Sequence, residues 1–120
     1  MRGEQYLTKP AQYALVYNKG DSWTNNLLVM KALSNGLTSS RYGFSVGRRA
    51  GKAVVRNRVK RLLREIFRSI SLQAGWDIVL IARSHTAGVN YAELEVAVKD
   101  LLSRAGLLVE NYEKISLRSH

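Results

Sequence analysis

The chain has 120 residues, 46% of them hydrophobic, no cysteine and a formal net charge of +10. That length and apolar content fit one compact domain with a core of its own and exclude a disordered polymer. The missing cysteine excludes a disulfide framework, a thiolate zinc site and a thiol nucleophile, and so large a positive charge predicts a polyanionic partner.

The opening residues, MRGEQYLTKP, carry no apolar signal core, and no apolar run approaches the roughly 20 residues needed to cross a bilayer. A soluble, cytoplasmic protein is expected. TKPAQYALVYNKG reads as a short helix, with Thr8 as its cap, Pro10 in the first turn and Gly20 as terminator. Tyr13 and Tyr17, four apart, share one face of it. Asp21 to Thr24 leaves room for an extra short strand. NNLLVMKAL, residues 25–33, then reads as a strand that enters the turn SNGLTSS. In RYGFSVG, residues 41–47, Tyr42, Phe44 and Val46 face one way, while Arg41, Gly43, Ser45 and Gly47 form a small, open side.

After RRAGK the period changes from two to about 3.6. Val55, Val59, Leu62, Leu63, Ile66 and Ile70 fall within a sector of roughly 100°. Lys60, Arg61, Arg64 and Arg68 occupy the opposite side with Asn57, and Arg56 and Arg58 flank the apolar stripe. WDIVLIAR, residues 76–83, is a continuous apolar run expected of a buried central strand. NYAELEVAVKDLLSRAG opens with a capping-box pattern, Asn90 and Glu93, and carries Leu94, Val98, Leu101 and Leu102 on one side up to Gly106. The last residues, 110–120, show no periodicity and read as a tail. Helix, strands, helix, strand, helix in one domain with its core at about 8–106 predicts an α+β sandwich, one sheet with helices mainly on one face.

Charge is the most informative feature. From Arg41 to Arg68 there are ten Lys or Arg against one acid, Glu65. An ordinary solvated helix face mixes signs to gain pairs one turn apart, whereas here like charges repel and await phosphates. Arg outnumbers Lys eight to two in this stretch, and Arg adds a bidentate fork and a stacking plane. The same patch gains backbone donors where the helix begins, after a glycine-containing turn. Chemistry is weakly represented. His85 and His120 have no triad or metal signature around them and read as surface residues, and Asp77, Glu93, Glu95 and Asp100 are scattered carboxylates. No catalytic or metal-ligating set is expected from the protein side chains, so the chain reads as a nucleic-acid binder.

RYGFSVGRRAGKAVVRNRVKRLLREIFR resembles the signature segment of the bacterial ribonuclease P protein subunit. Its hallmark Arg-Asn-Arg corresponds to Arg56, Asn57 and Arg58, continued by Lys60, Arg61 and Arg64. The likeness runs from about Thr8 to Leu102. It implies a four-stranded sheet in the order αβββαβα, a ribosomal protein S5 domain 2-like fold, with a left-handed βαβ crossover that general handedness statistics would not predict. It also implies a partnership with a catalytic RNA that, with Mg²⁺ held mainly by that RNA and the substrate, removes the 5′ leader of precursor tRNA; no DNA or membrane partner is expected. By the same resemblance Arg48, Arg49, Lys52, Arg56, Asn57, Arg58, Lys60, Arg61, Arg64 and Arg68 would contact the RNA subunit and leader. Tyr13, Tyr17, Val29, Lys31 and Ser45 would line a leader cleft between the first helix and the open face of the sheet.

Aromatic rings stack on unpaired bases with little sequence preference, and the alternative is that Tyr13 and Tyr17 anchor their helix to the core. Family members commonly carry Phe at these two positions, and some carry an aromatic residue where Lys31 stands, which bears on leader preference. The rival class is a noncatalytic ribosomal or ribosome-assembly protein. A membrane-surface helix is disfavoured, because the apolar stripe of residues 55–70 is needed for the core.

Overall fold

The structure is a computed structural model and describes residues 6–109; the tail at 110–120, with His120, lies outside the described residues. Helix α1 spans Pro10–Lys19, strand β1 Asp21–Thr24, β2 Leu28–Ser34, β3 Arg41–Val46, helix α2 Ala53–Arg68, β4 Trp76–Ala82 and α3 Tyr91–Arg104. The sheet order is β1-β2-β4-β3, with β4 antiparallel to β2 and parallel to β3. The apolar run of β4 is therefore central, as its continuous hydrophobicity requires, and α2 supplies the crossover that a parallel pair needs.

Two helices, α2 and α3, share the main core with one face of the sheet: Leu28, Met30, Ile78 and Leu80 beneath, Val59, Leu63, Ile66, Leu94, Val98, Leu101 and Leu102 above. The first helix crosses the opposite face, where Val16 meets Val79 beside Leu7, Tyr13 and Leu33. Phe67, absent from the predicted stripe, is buried against Tyr42 and Phe44 of β3, with ring centroids 4.6 and 5.4 Å away. Val55, Leu62 and Ile70 of that stripe are only partly covered. Phe67 sits on the flank toward the edge strand, and a periodicity centred on the middle of the stripe does not see it.

Two local expectations are corrected, at Thr8 and at residues 25–27, while Gly20 ends its helix as expected. Thr8 does not cap α1: the helix starts after Lys9, and Gln12 Oε1 accepts from Thr8 N at 2.9 Å and Lys9 N at 3.0 Å. Gly20 takes an extended conformation there, φ −76°. Glycine suits the position by close approach, since a Cβ would lie 2.6 Å from Val16 O and 2.9 Å from Ala32 O. Residues 25–27 are not strand. Asn25 Oδ1 accepts from Leu27 N at 3.1 Å and Leu28 N at 2.9 Å, a side-chain turn that competes with the ladder.

The end of α3 matches its sequence signal. Gly106 takes φ 73°, and Leu107 N donates to Leu102 O at 2.8 Å while Gly106 N donates to Ser103 O, the glycine-closed pattern that satisfies terminal carbonyls.

Candidate nucleic-acid interface

Register places the open face of the sheet in rows. Val29 of β2 lies beside Ile81 of β4, which lies beside Ser45 of β3; one step along, Lys31, Val79 and Gly43 form the next row. Strands stand about 4.8 Å apart, so Val29 and Ser45 are roughly 10 Å apart across Ile81. Helix α1 covers the second row. The Tyr13 ring lies over Gly43, where a Cβ would fall 2.6 Å from Tyr13 Cζ, and its hydroxyl donates to Leu7 O at 3.3 Å. Burial, and secondarily the neighbouring Tyr17, raises the Tyr13 pKa. Tyr13 thus anchors the helix, whereas Tyr17, its ring centroid 6.4 Å from that of Tyr13, is exposed. Val29, Lys31, Ser45 and Ile81 remain partly open. The result is a groove with a mixed apolar, small and cationic floor beside an accessible phenol. Ile81 belongs to this floor, and the unbroken apolar run of β4 hid which face it takes.

The second surface lies on the other side of the sheet, because α2 packs on the face of Tyr42, Phe44 and Val46. The two surfaces meet around the edge of β3, where Ser45 precedes, by a few residues, Gly47 and the turn Arg48–Ala50, with Arg48 and Arg49 exposed and Ala50 buried. Asn57, Arg61 and Arg68 are exposed on α2, as are Arg48, Arg49 and Lys52 before it; Arg56, Arg58, Lys60 and Arg64 are partly covered. Arg56 and Lys60 share the flank of Phe67, toward β3, and Arg56 Nε is buried with no hydrogen-bond partner among the described residues.

Pairing separates these cations from two others. Arg41 is bound by Asp77 through two hydrogen bonds, Nε to Oδ1 at 2.8 Å and Nη2 to Oδ2 at 2.7 Å. Asn35 Nδ2 adds a third contact to Asp77 at 2.9 Å. The hydrogen bond to Asp77 raises the Arg41 pKa further above its already high value. Arg41 is therefore a structural cation, and its contribution to the outward charge is cancelled. Arg58 departs from a purely outward role as well: its Nη2 donates to Val89 O at 2.8 Å and ties α2 to the loop before α3. Among the described residues, none of Arg48, Arg49, Lys52, Arg56, Arg58, Lys60, Arg61, Arg64 and Arg68 forms a salt bridge. The α2 N-terminus is also left without a side-chain cap or an acidic residue in its first turn.

No group of three or more His, Cys, Asp or Glu side chains that could hold a metal ion occurs among the described residues. Asp77, the carboxylate nearest in sequence to the basic segment on its C-terminal side, is spent on Arg41 and Asn35. His85 is exposed in the turn Ser84–Gly88. No described helix is long and apolar enough to cross a membrane.

A sequence model described as Ribonuclease P matches residues 1–106. The chain belongs to the ribonuclease P protein family. A ribonuclease P protein component from Dehalococcoides mccartyi strain CBDB1 is 44% identical over 119 residues, covering 99% of each chain. One from Clostridium kluyveri is 43% identical over 105 residues, 84% of this chain and 94% of that protein. Among solved structures, an RNase P protein mutant of Staphylococcus aureus with defective mRNA degradation activity superposes with a TM-score of 0.82 at 29% identity, covering 89% of this chain and 92% of that one. The RNase P protein of Thermotoga maritima gives 0.76 at 32% identity, over 88% and 98%. The chain is accordingly a protein component of ribonuclease P, and the αβββαβα order is that of its structural neighbours.

Proposed function

We propose that this chain docks on the catalytic RNA of ribonuclease P through the outer face of α2 and the Arg48–Ala50 turn, and holds the 5′ leader of precursor tRNA in the groove beside Tyr17. The observation that carries this reading is that nine cations, in a segment that holds a single acid, form no salt bridge among the described residues. Repulsion among them is a folding cost that RNA phosphates remove on binding, with release of counterions. The groove suits a single strand of varied sequence: an exposed phenol for stacking, Lys31 for a phosphate, and Ser45 and Gly47 where a backbone can come close. Hydrolysis is assigned to the RNA subunit, which with the substrate holds Mg²⁺. The protein's part is to position the leader and to screen phosphate repulsion between substrate and RNA subunit.

Reconstitution tests this. Purified chain added to bacterial ribonuclease P RNA and precursor tRNA at low Mg²⁺ is expected to restore 5′ cleavage. Failure to stimulate cleavage at any Mg²⁺ concentration would favour a ribosomal or ribosome-assembly role instead. Within an active complex, Tyr17→Ala is expected to weaken precursor tRNA more than mature tRNA; equal losses would remove Tyr17 from the leader groove.

A further inference from the structure

A cavity of about 520 Å³ opens at the far end of α2 from Arg56, between the amino end of β3, the loop before it and the chain that leaves the helix. Its walls include Tyr6, Tyr42, Phe67 and Ile70, with Ser39 and Arg68 among the polar lining residues. The volume is in the roughly 300–1,000 Å³ range of small-molecule sites, and the mixture of an apolar wall with few polar groups is what such sites have. It lies away from the leader groove: Tyr42 and Phe67 belong to the α2 face of the sheet, and Tyr6 meets the Tyr42 ring edge-on at 4.9 Å.

Charge decides what class of ligand fits. No carboxylate is among the described residues that line the cavity, and those residues offer a cation no counter-charge. Arg68, the last cation of α2, is exposed and without a salt bridge among the described residues. Arg61, Arg64 and Arg68 run along one side of the helix over roughly 10 Å, at about 1.5 Å rise per residue, so the basic face leads to the cavity mouth. The α2 C-terminus carries the negative end of the helix dipole, which disfavours a phosphate inside. A flat, uncharged ring held by aromatic and aliphatic walls, with its phosphate outside on Arg68, satisfies every one of these conditions.

We propose that this cavity is a nucleobase pocket, which takes one unpaired base of the RNA whose phosphates run along α2. The proposal rests on the nucleic-acid reading of that helix, and adds to it a stacking site on the opposite face of the sheet from Tyr17. Stacking of one base is lost on removal of its aromatic partner at a cost of roughly 5- to 150-fold in affinity.

The test uses the full chain with isotope-labelled Ile, Leu and Val methyl groups. Adenosine 5′-monophosphate is expected to shift the Ile70 and Leu72 signals saturably, and inorganic phosphate to leave them in place. Arg68→Gln should raise the apparent Kd for the nucleotide several-fold. In complex with the catalytic RNA, Tyr6→Ala should lose affinity by about 5-fold or more, while Tyr6→Phe, which keeps the ring, should bind as the unchanged chain does. The pocket is refuted if the nucleotide shifts signals only around Val29 and Ile81, if phosphate alone reproduces the Ile70 shift, or if no shift occurs. Catalytic-RNA binding by the unchanged chain in the same preparation would then leave the reading of α2 standing by itself.

Discussion

Helices α2 and α3 lie side by side on one face of the sheet, both bury an apolar stripe in the same core, and they treat their polar groups in opposite ways. In α3 nearly everything polar is answered within the chain. Asn90 Oδ1 accepts from Glu93 N at 2.8 Å, and Glu93 Oε1 accepts from Asn90 N at 3.3 Å. Glu95 pairs with Lys99, Asp100 pairs with Arg104, and Asn25 Nδ2 reaches both Ala97 O and Asp100. In α2 the N-terminus has no side-chain cap and, among the described residues, its exposed cations form no salt bridges and one guanidinium nitrogen is buried without a partner. A helix that completes its own interactions is finished on folding; one that leaves them open is completed by whatever binds it. The lesson is that charge density alone does not mark a binding face. Arg41 belongs to the same basic segment yet is consumed by Asp77, and only the pairing pattern separates it from Arg61.

The contrast is broken or sharpened by substitution. The largest expected effect is on binding: Arg61→Glu with Arg64→Glu should lower affinity for the catalytic RNA by roughly 100-fold at low salt and flatten the dependence of log affinity on log salt. The thermal midpoint should barely move, as expected of surface changes. Affinity measured across a salt series checks both, and a collapse of the fold would show that these cations serve the core. Next comes Arg41→Ala, which leaves a buried carboxylate unpaired. Because Arg41 is itself partly exposed, about 2–3 kcal/mol of unfolding free energy should be lost rather than the roughly 3–5 of a fully buried pair. Urea titration measures it, and RNA affinity corrected for the folded fraction should stay close to that of the unchanged chain.

Smaller still, Asn90→Ala should cost α3 about 1 kcal/mol by loss of its cap and leave RNA binding unaltered. A drop in RNA affinity there would mean that α3 is not the self-contained helix its contacts describe. The smallest effect concerns α1. Burial raises the Tyr13 pKa above the ordinary value of 10.0 in the folded chain, so its contribution to stability is whole below pH 10.0 and is lost as the pH climbs through the raised value. Tyr13→Phe should flatten the alkaline side of the stability profile. An unchanged profile would show that the phenol ionises as freely in the folded chain as in the unfolded one.

Much of this arrangement is written locally. The alternation of residues 41–47, the apolar run of β4, the Asn90–Glu93 capping box and the glycine at the end of α3 each specify an element through short-range chemistry. What could not be read were matters of closure between distant segments. Thr8 lost the cap position to Lys9 because the Gln12 side chain turns back to the preceding amides, and the ladder yielded at Asn25 to a side-chain turn. Phe67 joins the core because β3 supplies two rings beside it. Of the candidate site residues, α2 was legible because its cations crowd into one segment, whereas Ile81 was not, since β4 is apolar toward both faces.

The sequence by itself determined the basic helix and its neutral neighbour, because periodicity and charge are properties of a segment and need no knowledge of what lies opposite. Tertiary structure decided which cations are free, since Asp77 is 36 positions from Arg41 in the chain and within hydrogen-bonding distance of it in the fold. It also set the groove beside Tyr17 and the basic helix on opposite faces of one sheet, joined around the edge of β3, because strand register and the crossover through α2 fix which side each residue takes.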